Sequence, residues 1–352
     1  RHQMARDRKT AGVESKLEGV YNVRDLGGHP CGEGRVTRRG VLFRSAGTSY
    51  ATASDVSVIS RDLGIQTILD FRSRHDASYV GGSNLLETVY PDATAREVPP
   101  LGPSREKDRR LRVWVKIIHS KLTREIMKRG STSRILRYFA WSLLGKIALW
   151  LVWVLRMVCG VLCTWQLQPR DLPSPLFDIL QWPLLWLDTV AITRKYTLAF
   201  TSLGGMAELY KMMLEFAGDR FAQALKICAS KENQPVIFHC ASGKDRAGLV
   251  AFLLLRACGV PLSTCVEDFH KTDTWSVMDE HYHQISGGRG KMFRRLSSAE
   301  LDAQLRAPKA FIEEANSFLD KRYGGVEAYL DSIGFDRAWR ERLRETMVVK
   351  VQ

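Results

Sequence analysis

Metal-ligand spacing is missing from this 352-residue chain. Its seven cysteines (Cys31, Cys159, Cys163, Cys228, Cys240, Cys258 and Cys265) are scattered and odd in number. Cys159 and Cys163 stand one helical turn apart, with no His or Cys to complete a site. This argues against a zinc site or a disulfide framework and predicts buried free thiols in a reducing compartment. No charged segment followed by an apolar one stands at the start, so no secretory signal is expected and a cytoplasmic setting is. Internal repeats are lacking, which excludes a solenoid. Acidic residues are in short supply, 38 Asp and Glu against 52 Lys and Arg, for a formal charge of +14. Yet no nucleic-acid motif or stacking platform accompanies the excess, so nucleic acid is not an expected partner.

What the chain does have is concentrated in residues 239–248, His239-Cys240-Ala241-Ser242-Gly243-Lys244-Asp245-Arg246-Ala247-Gly248. The apolar run 235–238 before it reads as a buried strand. The apolar run 249–258 after it reads as a helix, stopped by Gly259 and Pro261. Strand, tight loop and helix N-terminus gather successive backbone N–H groups and the positive end of a helix dipole around one point. Such a nest binds a tetrahedral dianion and favours the thiolate of a cysteine at its centre. In this reading Cys240 attacks phosphorus and Arg246 grips two phosphate oxygens. His239, Ala241, Ser242, Gly243 and Lys244 complete the substrate-binding loop.

That decapeptide resembles the active-site loop of the IphP-type atypical tyrosine/serine phosphatases, where Lys and Asp precede the Arg. Further segments are similar to the same family in the expected order. They are residues 19–28 with Arg24-Asp25-Leu26-Gly27-Gly28 and then Arg44-Ser45-Ala46, residues 63–73 with Asp70-Phe71-Arg72-Ser73, and residues 322–330 from Arg322-Tyr323 to Tyr329-Leu330. The likeness covers 18–100 and 195–345 and leaves out the middle. It implies a phosphomonoester hydrolase with a phosphocysteine intermediate, dual in specificity and needing neither metal nor cofactor. Its Lys244 implies acceptance of phosphoinositides beside phosphoproteins, a loop salt bridge being the alternative.

One residue departs from the pattern. Ala247 stands where the family carries Thr or Ser, whose hydroxyl stabilises the thiolate as it leaves phosphocysteine. A hydrogen bond to a charged partner is worth roughly 1.5–3 kcal/mol, or about ten- to a hundredfold in rate. A slower enzyme is the expectation. The rival reading is a pseudophosphatase that binds phosphorylated ligands at a membrane surface, and a second rival is a non-enzymatic adaptor built on 105–193.

Two carboxylates compete to be the general acid. Asp245 lies in the loop, and Asp70 ends an apolar strand, where α/β folds place ligand-facing groups. Each has a structural alternative, pairing with Arg246 or Arg72. His239 is expected to orient the loop rather than transfer protons, and Arg24, Asp25 and Arg44 to form a structural charge network.

Residues 101–137 hold twelve Lys or Arg and three acids. Leu111, Val115, Ile118 and Leu122 among them suggest a basic amphipathic helix. The run 135–165 that follows is long enough to span a bilayer, but Arg137, Lys146 and Arg156 each cost about 2.5–3.5 kcal/mol at its centre. A single crossing would also part Asp70 from Cys240, which the resemblance puts in one site. A pair of interfacial helices, a shallow hairpin and a helical lid are the remaining readings; the favoured expectation is a lid that also touches an anionic membrane through 105–165, a peripheral attachment.

The fold class expected is α/β, a central mainly parallel sheet flanked by helices with a long helical insertion. Residues 1–17 read as an extension and 18–345 as one phosphatase domain, interrupted at 103–194. Strands are expected at 66–71 and 95–98, a strand pair at 35–45, and helices at 54–63 (capped by Ser54), 207–230, 261–271, 309–322, 326–332 and 336–346.

Overall fold

The computed structural model describes residues 17–73, 82–93, 110–118, 122, 125, 205–273 and 306–351. Its framework is a six-stranded sheet of β1 (Arg24–Asp25), β3 (Leu42–Ser45), β4 (Thr67–Asp70), β5 (Asp92–Ala93), β6 (Leu111–Trp114) and β7 (Val236–His239), in the order β1-β3-β7-β4-β6-β5. Only β1 runs antiparallel to its neighbour; the other five are parallel. Strands β3, β4 and β7 are buried at every position, as parallel strands covered on both faces must be. Strand β2 (Arg35–Thr37) pairs instead with β8 (Val348–Lys350) in a separate antiparallel ribbon.

Helices cover the sheet: α1 (Ala53–Ser57), α2 (Met206–Phe216), α3 (Gly218–Ala229), α4 (Asp245–Ala257), α5 (Leu262–His270), α6 (Ala310–Tyr323), α7 (Val326–Ser332) and α8 (Arg337–Met347). Helix α4 is apolar nearly all round and buried along most of its length, which makes it the hub against which α3, α5, α7 and α8 pack. Phe43, Ile68 and Ile237 on the sheet join Val20, Val23, Ile59, Ile65 and Tyr90 in an apolar cluster. Helix α1 starts one residue earlier than its sequence suggests. Thr52, not Ser54, is the cap, reciprocated by Asp55, whose carboxylate also takes the N–H groups of Glu18 and Gly19.

Three expectations change. The pair at 35–45 is not a hairpin, because β2 leaves for β8, a strand the sequence did not announce. The helix over 207–230 is two, α2 and α3. A Cβ at Gly218 would lie 2.5 Å from the Ile333 side chain, and the Tyr329 hydroxyl donates to the Leu214 carbonyl near the end of α2. Residues 95–98 lie outside the described residues, and the nearby strand is Asp92–Ala93.

The third change concerns the insertion read as helical over 103–194. Residues 111–114 are sheet, in register with β4 from Thr67↔Leu111 to Asp70↔Trp114. Leu111, Val113 and Val115 alternate as a strand does, and burial in a parallel sheet decided between the two periods. Arg112 is correspondingly not a surface charge; it is buried, with Glu87 and Thr48 at 2.8 Å each. The sheet and its helices belong to the first of two compact units, Arg1–Leu122 with Met206–Gln352; the second is Thr123–Gly205. The apolar run 135–165 lies outside the described residues. Among those described, no helix is long and apolar enough to cross a membrane.

Candidate active site

Three parallel strands end side by side. Ser45 of β3 pairs with His239 of β7, which pairs in turn with Asp70 of β4. Cys240 is the next residue, buried at the carboxyl edge of the sheet, and α4 begins five residues later at Asp245. The loop between is gripped from outside, carbonyl by carbonyl. The Gly47 N–H donates to the Ala241 carbonyl at 2.9 Å, and Asn22 Nδ2 donates to that of Ser242 at 2.9 Å. Arg44 Nη2 donates to the Gly243 carbonyl at 2.6 Å and, more weakly, to that of Lys244 at 3.4 Å. In a trans peptide the C=O and the following N–H point opposite ways, so tying these four carbonyls back turns the N–H groups of residues 242–245 the other way, as an anion nest requires. Gly243 has φ +71° and no room for a side chain, since a Cβ would lie 2.5 Å from the Ser45 carbonyl oxygen.

The arginines that hold this loop are charged and buried, and one carboxylate makes that tolerable. Asp268 on α5 receives Arg24 Nε at 2.9 Å on one oxygen and Arg44 Nη1 at 2.8 Å on the other. Arg24 also donates to the Asp268 carbonyl, to Thr272 and to the Asn22 side-chain oxygen. Burial disfavours the Asp268 carboxylate, but the two guanidinium charges outweigh it and hold its carboxyl well below the usual range. Burial and the repulsion of Arg24 bring Arg44 down to about 10, so it stays charged at neutral pH. The network expected of Arg24 and Arg44 is therefore present, and its centre is a residue the sequence reading passed over. A signal existed: Asp268 falls between Cys265, Val266 and Phe269 on the buried stripe of its helix. Asp25 serves elsewhere, receiving the N–H groups of Gly27 and Gly40.

His239 lies at the floor. Its Nδ1 is 3.1 Å from the Cys240 carbonyl, which can only accept, so the proton is assigned to Nδ1. Burial lowers the ring's pKa to about 4 against the pull of Asp70, leaving it neutral at pH 7. Neutral and hydrogen-bonded to the first loop carbonyl, it has the surroundings expected of a residue that orients the loop. Arg246 is half-buried and donates from Nη1 to the Phe71 carbonyl at 3.1 Å, which brings its guanidinium back across the end of β4.

The two candidate acids sit in different surroundings. Asp70 is fully buried in a two-oxygen pair with Arg72, whose Nε and Nη2 donate at 2.9 and 2.7 Å while its backbone N–H adds a third bond. Burial works against its ionisation, but His239 when protonated, and Arg72 and Arg112 always, hold it at about 2. Buried and closed on Arg72, Asp70 has the surroundings of its structural alternative, a carboxylate paired with that arginine. Asp245 is different: it starts α4, is partly exposed, and its Oδ1 receives the Tyr210 hydroxyl at 2.7 Å. Lys244 is buried, with Nζ donating to the Arg306 carbonyl at 3.1 Å and lying 3.5 Å from Asp245 Oδ1. These contacts match the loop salt bridge expected as one alternative for it. Burial also pushes the thiols of Cys258 and Cys265 up to about 12, as suits inert packing groups.

A sequence model of the tyrosine phosphatase family matches residues 15–138 and 171–349, most of the chain and all of this site. The chain belongs to the tyrosine phosphatase family. Among its relatives, a tyrosine-protein phosphatase of Nostoc commune is 28% identical over 184 residues, 48% of this chain and 56% of that protein. The triple specificity protein phosphatase PtpB of Mycobacterium tuberculosis is 25% identical over 128 residues, 33% of this chain and 44% of its own length. The chain thus spans about half the length of the relatives it matches. The family match reaches closer to the middle on both sides than the resemblance in the loop segments did. It includes β6, which accounts for a strand standing where an insertion was expected.

Proposed function

We propose that this member of the family is a metal-independent, cysteine-dependent phosphomonoester hydrolase of the IphP type. The observation that carries the reading is the loop 240–246, with four consecutive carbonyls tied back, Cys240 at the strand end and Arg246 turned across it. In the forward step the Cys240 thiolate attacks phosphorus, the phosphorus–oxygen bond of the ester breaks, and its electron pair leaves on oxygen. Asp245 supplies the proton to that oxygen, and Arg246 with the loop N–H groups spreads the charge on the transferring group. Asp245 as carboxylate then takes a proton from the water that hydrolyses phosphocysteine.

Phosphotyrosine in proteins is the principal substrate class we infer. Phosphoserine and phosphoinositides extend it, a breadth suggested by the triple specificity in one relative's name and by the loop's resemblance to the dual-specificity family.

Ala247 is buried in the first turn of α4 and offers no hydroxyl. Phosphocysteine breakdown is therefore the slow step in this proposal. Rapid mixing with an aryl phosphate is expected to give a burst of phenol near one per enzyme, followed by slow turnover. Ala247→Thr is expected to raise kcat by about ten- to a hundredfold with little change in kcat/KM. Binding of the ester with neither burst nor turnover would favour the pseudophosphatase reading, which Ala247 motivates.

We also propose a peripheral attachment to anionic membranes through 105–165. Arg112 is excluded from it by burial, and Arg110 donates to the Ser60 carbonyl at 2.8 Å, so the charges concerned are the others. Each basic residue near such a surface contributes roughly 1 kcal/mol. Changing Lys107, Arg109, Lys128 and Arg129 to Glu is expected to abolish flotation with phosphatidylserine vesicles at low salt. A wild-type protein that ignores those vesicles overturns the attachment.

A further inference from the structure

We propose that Tyr210 is a positioning residue for the proton-transfer step, holding Asp245 by one oxygen so that the other delivers the proton. This rests on the phosphatase reading above and deepens it. Tyr210 stands on α2, more than thirty residues from the loop, and its ring is wholly buried against Phe269 of α5 and Phe311 of α6. Its hydroxyl donates to Asp245 Oδ1 at 2.7 Å, and the Lys244 ammonium lies 3.5 Å from that same oxygen. Both contacts fall on Oδ1, which fixes the rotation of the carboxyl group at the mouth of α4 and assigns the transferable proton to Oδ2.

The arrangement favours the product of the transfer more than its reactant. As Asp245 gives its Oδ2 proton to the leaving oxygen, negative charge builds on the carboxylate. A hydroxyl donating to a charged oxygen binds it more strongly than to a neutral one. Starting from the enzyme form in which Asp245 is protonated, the interaction strengthens toward the transition state and so contributes to rate rather than to substrate binding. The tyrosine cannot itself be the acid or base near neutrality. Burial first, then the charge and hydrogen bond of Asp245, raise it well above the ordinary phenol value. Its aromatic contacts explain why a tyrosine serves: the ring is a fixed arm, with little rotamer freedom to lose.

The test separates this role from mere packing. Tyr210→Phe keeps the ring and removes only the hydroxyl, and a single melting curve checks that the fold is retained. With phenyl phosphate, whose leaving group needs a proton, kcat/KM is expected to fall about ten- to a hundredfold. With 2,4-dinitrophenyl phosphate, whose leaving group departs unprotonated, the change is expected to stay within about threefold. In an Asp245→Asn background, Tyr210→Phe is expected to add nothing on either ester. Equal losses on both esters, or a full loss on top of Asp245→Asn, overturn the positioning role while leaving the phosphatase reading intact. A wild-type protein that turns over neither ester overturns both.

Discussion

Cys240→Ser is expected to lower turnover of a phosphate ester by on the order of 10⁴-fold or more, the scale at which removal of a covalent nucleophile registers. The fold should be untouched. Cys240 is buried, Ser differs by one atom, and the loop around it is held by carbonyl contacts that do not involve the sulfur. A serine hydroxyl at this position is not ionised near neutrality, so the nucleophile is lost while the anion nest and Arg246 remain. The variant should therefore still bind phosphate or a non-hydrolysable ester, with affinity within a few-fold of wild type by calorimetry. Retention of even a few per cent of activity would sink the phosphocysteine mechanism. A chelator should change neither protein. Among the described residues no cluster of three or more His, Cys, Asp or Glu side chains is arranged to hold a metal ion. Loss of activity on chelation would require one elsewhere.

Cys240, the loop and the strand-to-helix frame were legible because they are local. Strand β7, the nest and helix α4 are contiguous in sequence, and each reads from its own periodicity and breakers. The parallel sheet was legible too, since its central strands are short apolar runs of the expected length. What failed to read was pairing at a distance. Residues 111–114 carry both a helical and an alternating pattern, and only the neighbouring strand β4 chooses between them. Residues 207–230 read as one helix, but two form, meeting at Ala217 and Gly218, where Ile333 and Tyr329 pack from more than a hundred residues away. The same limit applied to the site. Asp70 next to Arg72 looked ambiguous until burial closed the pair. Asp268 and Tyr210 meet the loop only through the packing of α5 and α2, so no motif flanked them.

Asp268 accordingly carries the second large prediction. Asp268→Asn leaves Arg24 and Arg44 buried with no charge between them, and breaking one side of such a network costs about 3–5 kcal/mol. Chemical denaturation should show the midpoint falling with little change in slope. Activity should fall further than stability explains, because Arg44 anchors the carbonyls of Gly243 and Lys244 and its position depends on Asp268. The pH dependence supplies a second measurement. The carboxyls of Asp268 and Asp70 are held below their unfolded values, Asp70 at about 2. A depressed carboxyl contributes stability that is fully present above the unfolded value of about 3.9 and lost as pH falls toward the folded one. Wild-type stability should therefore drop as pH is lowered from 4 to 2, and Asp268→Asn should drop less over that window. Removing one of the two opposing charges as well, in an Arg24→Met, Asp268→Asn double variant, should restore part of the loss, since a single buried guanidinium is easier to accommodate than two. A double variant no more stable than the single would mean that the cost of Asp268→Asn is lost packing rather than uncompensated charge, and that the loop is held by something other than this carboxylate.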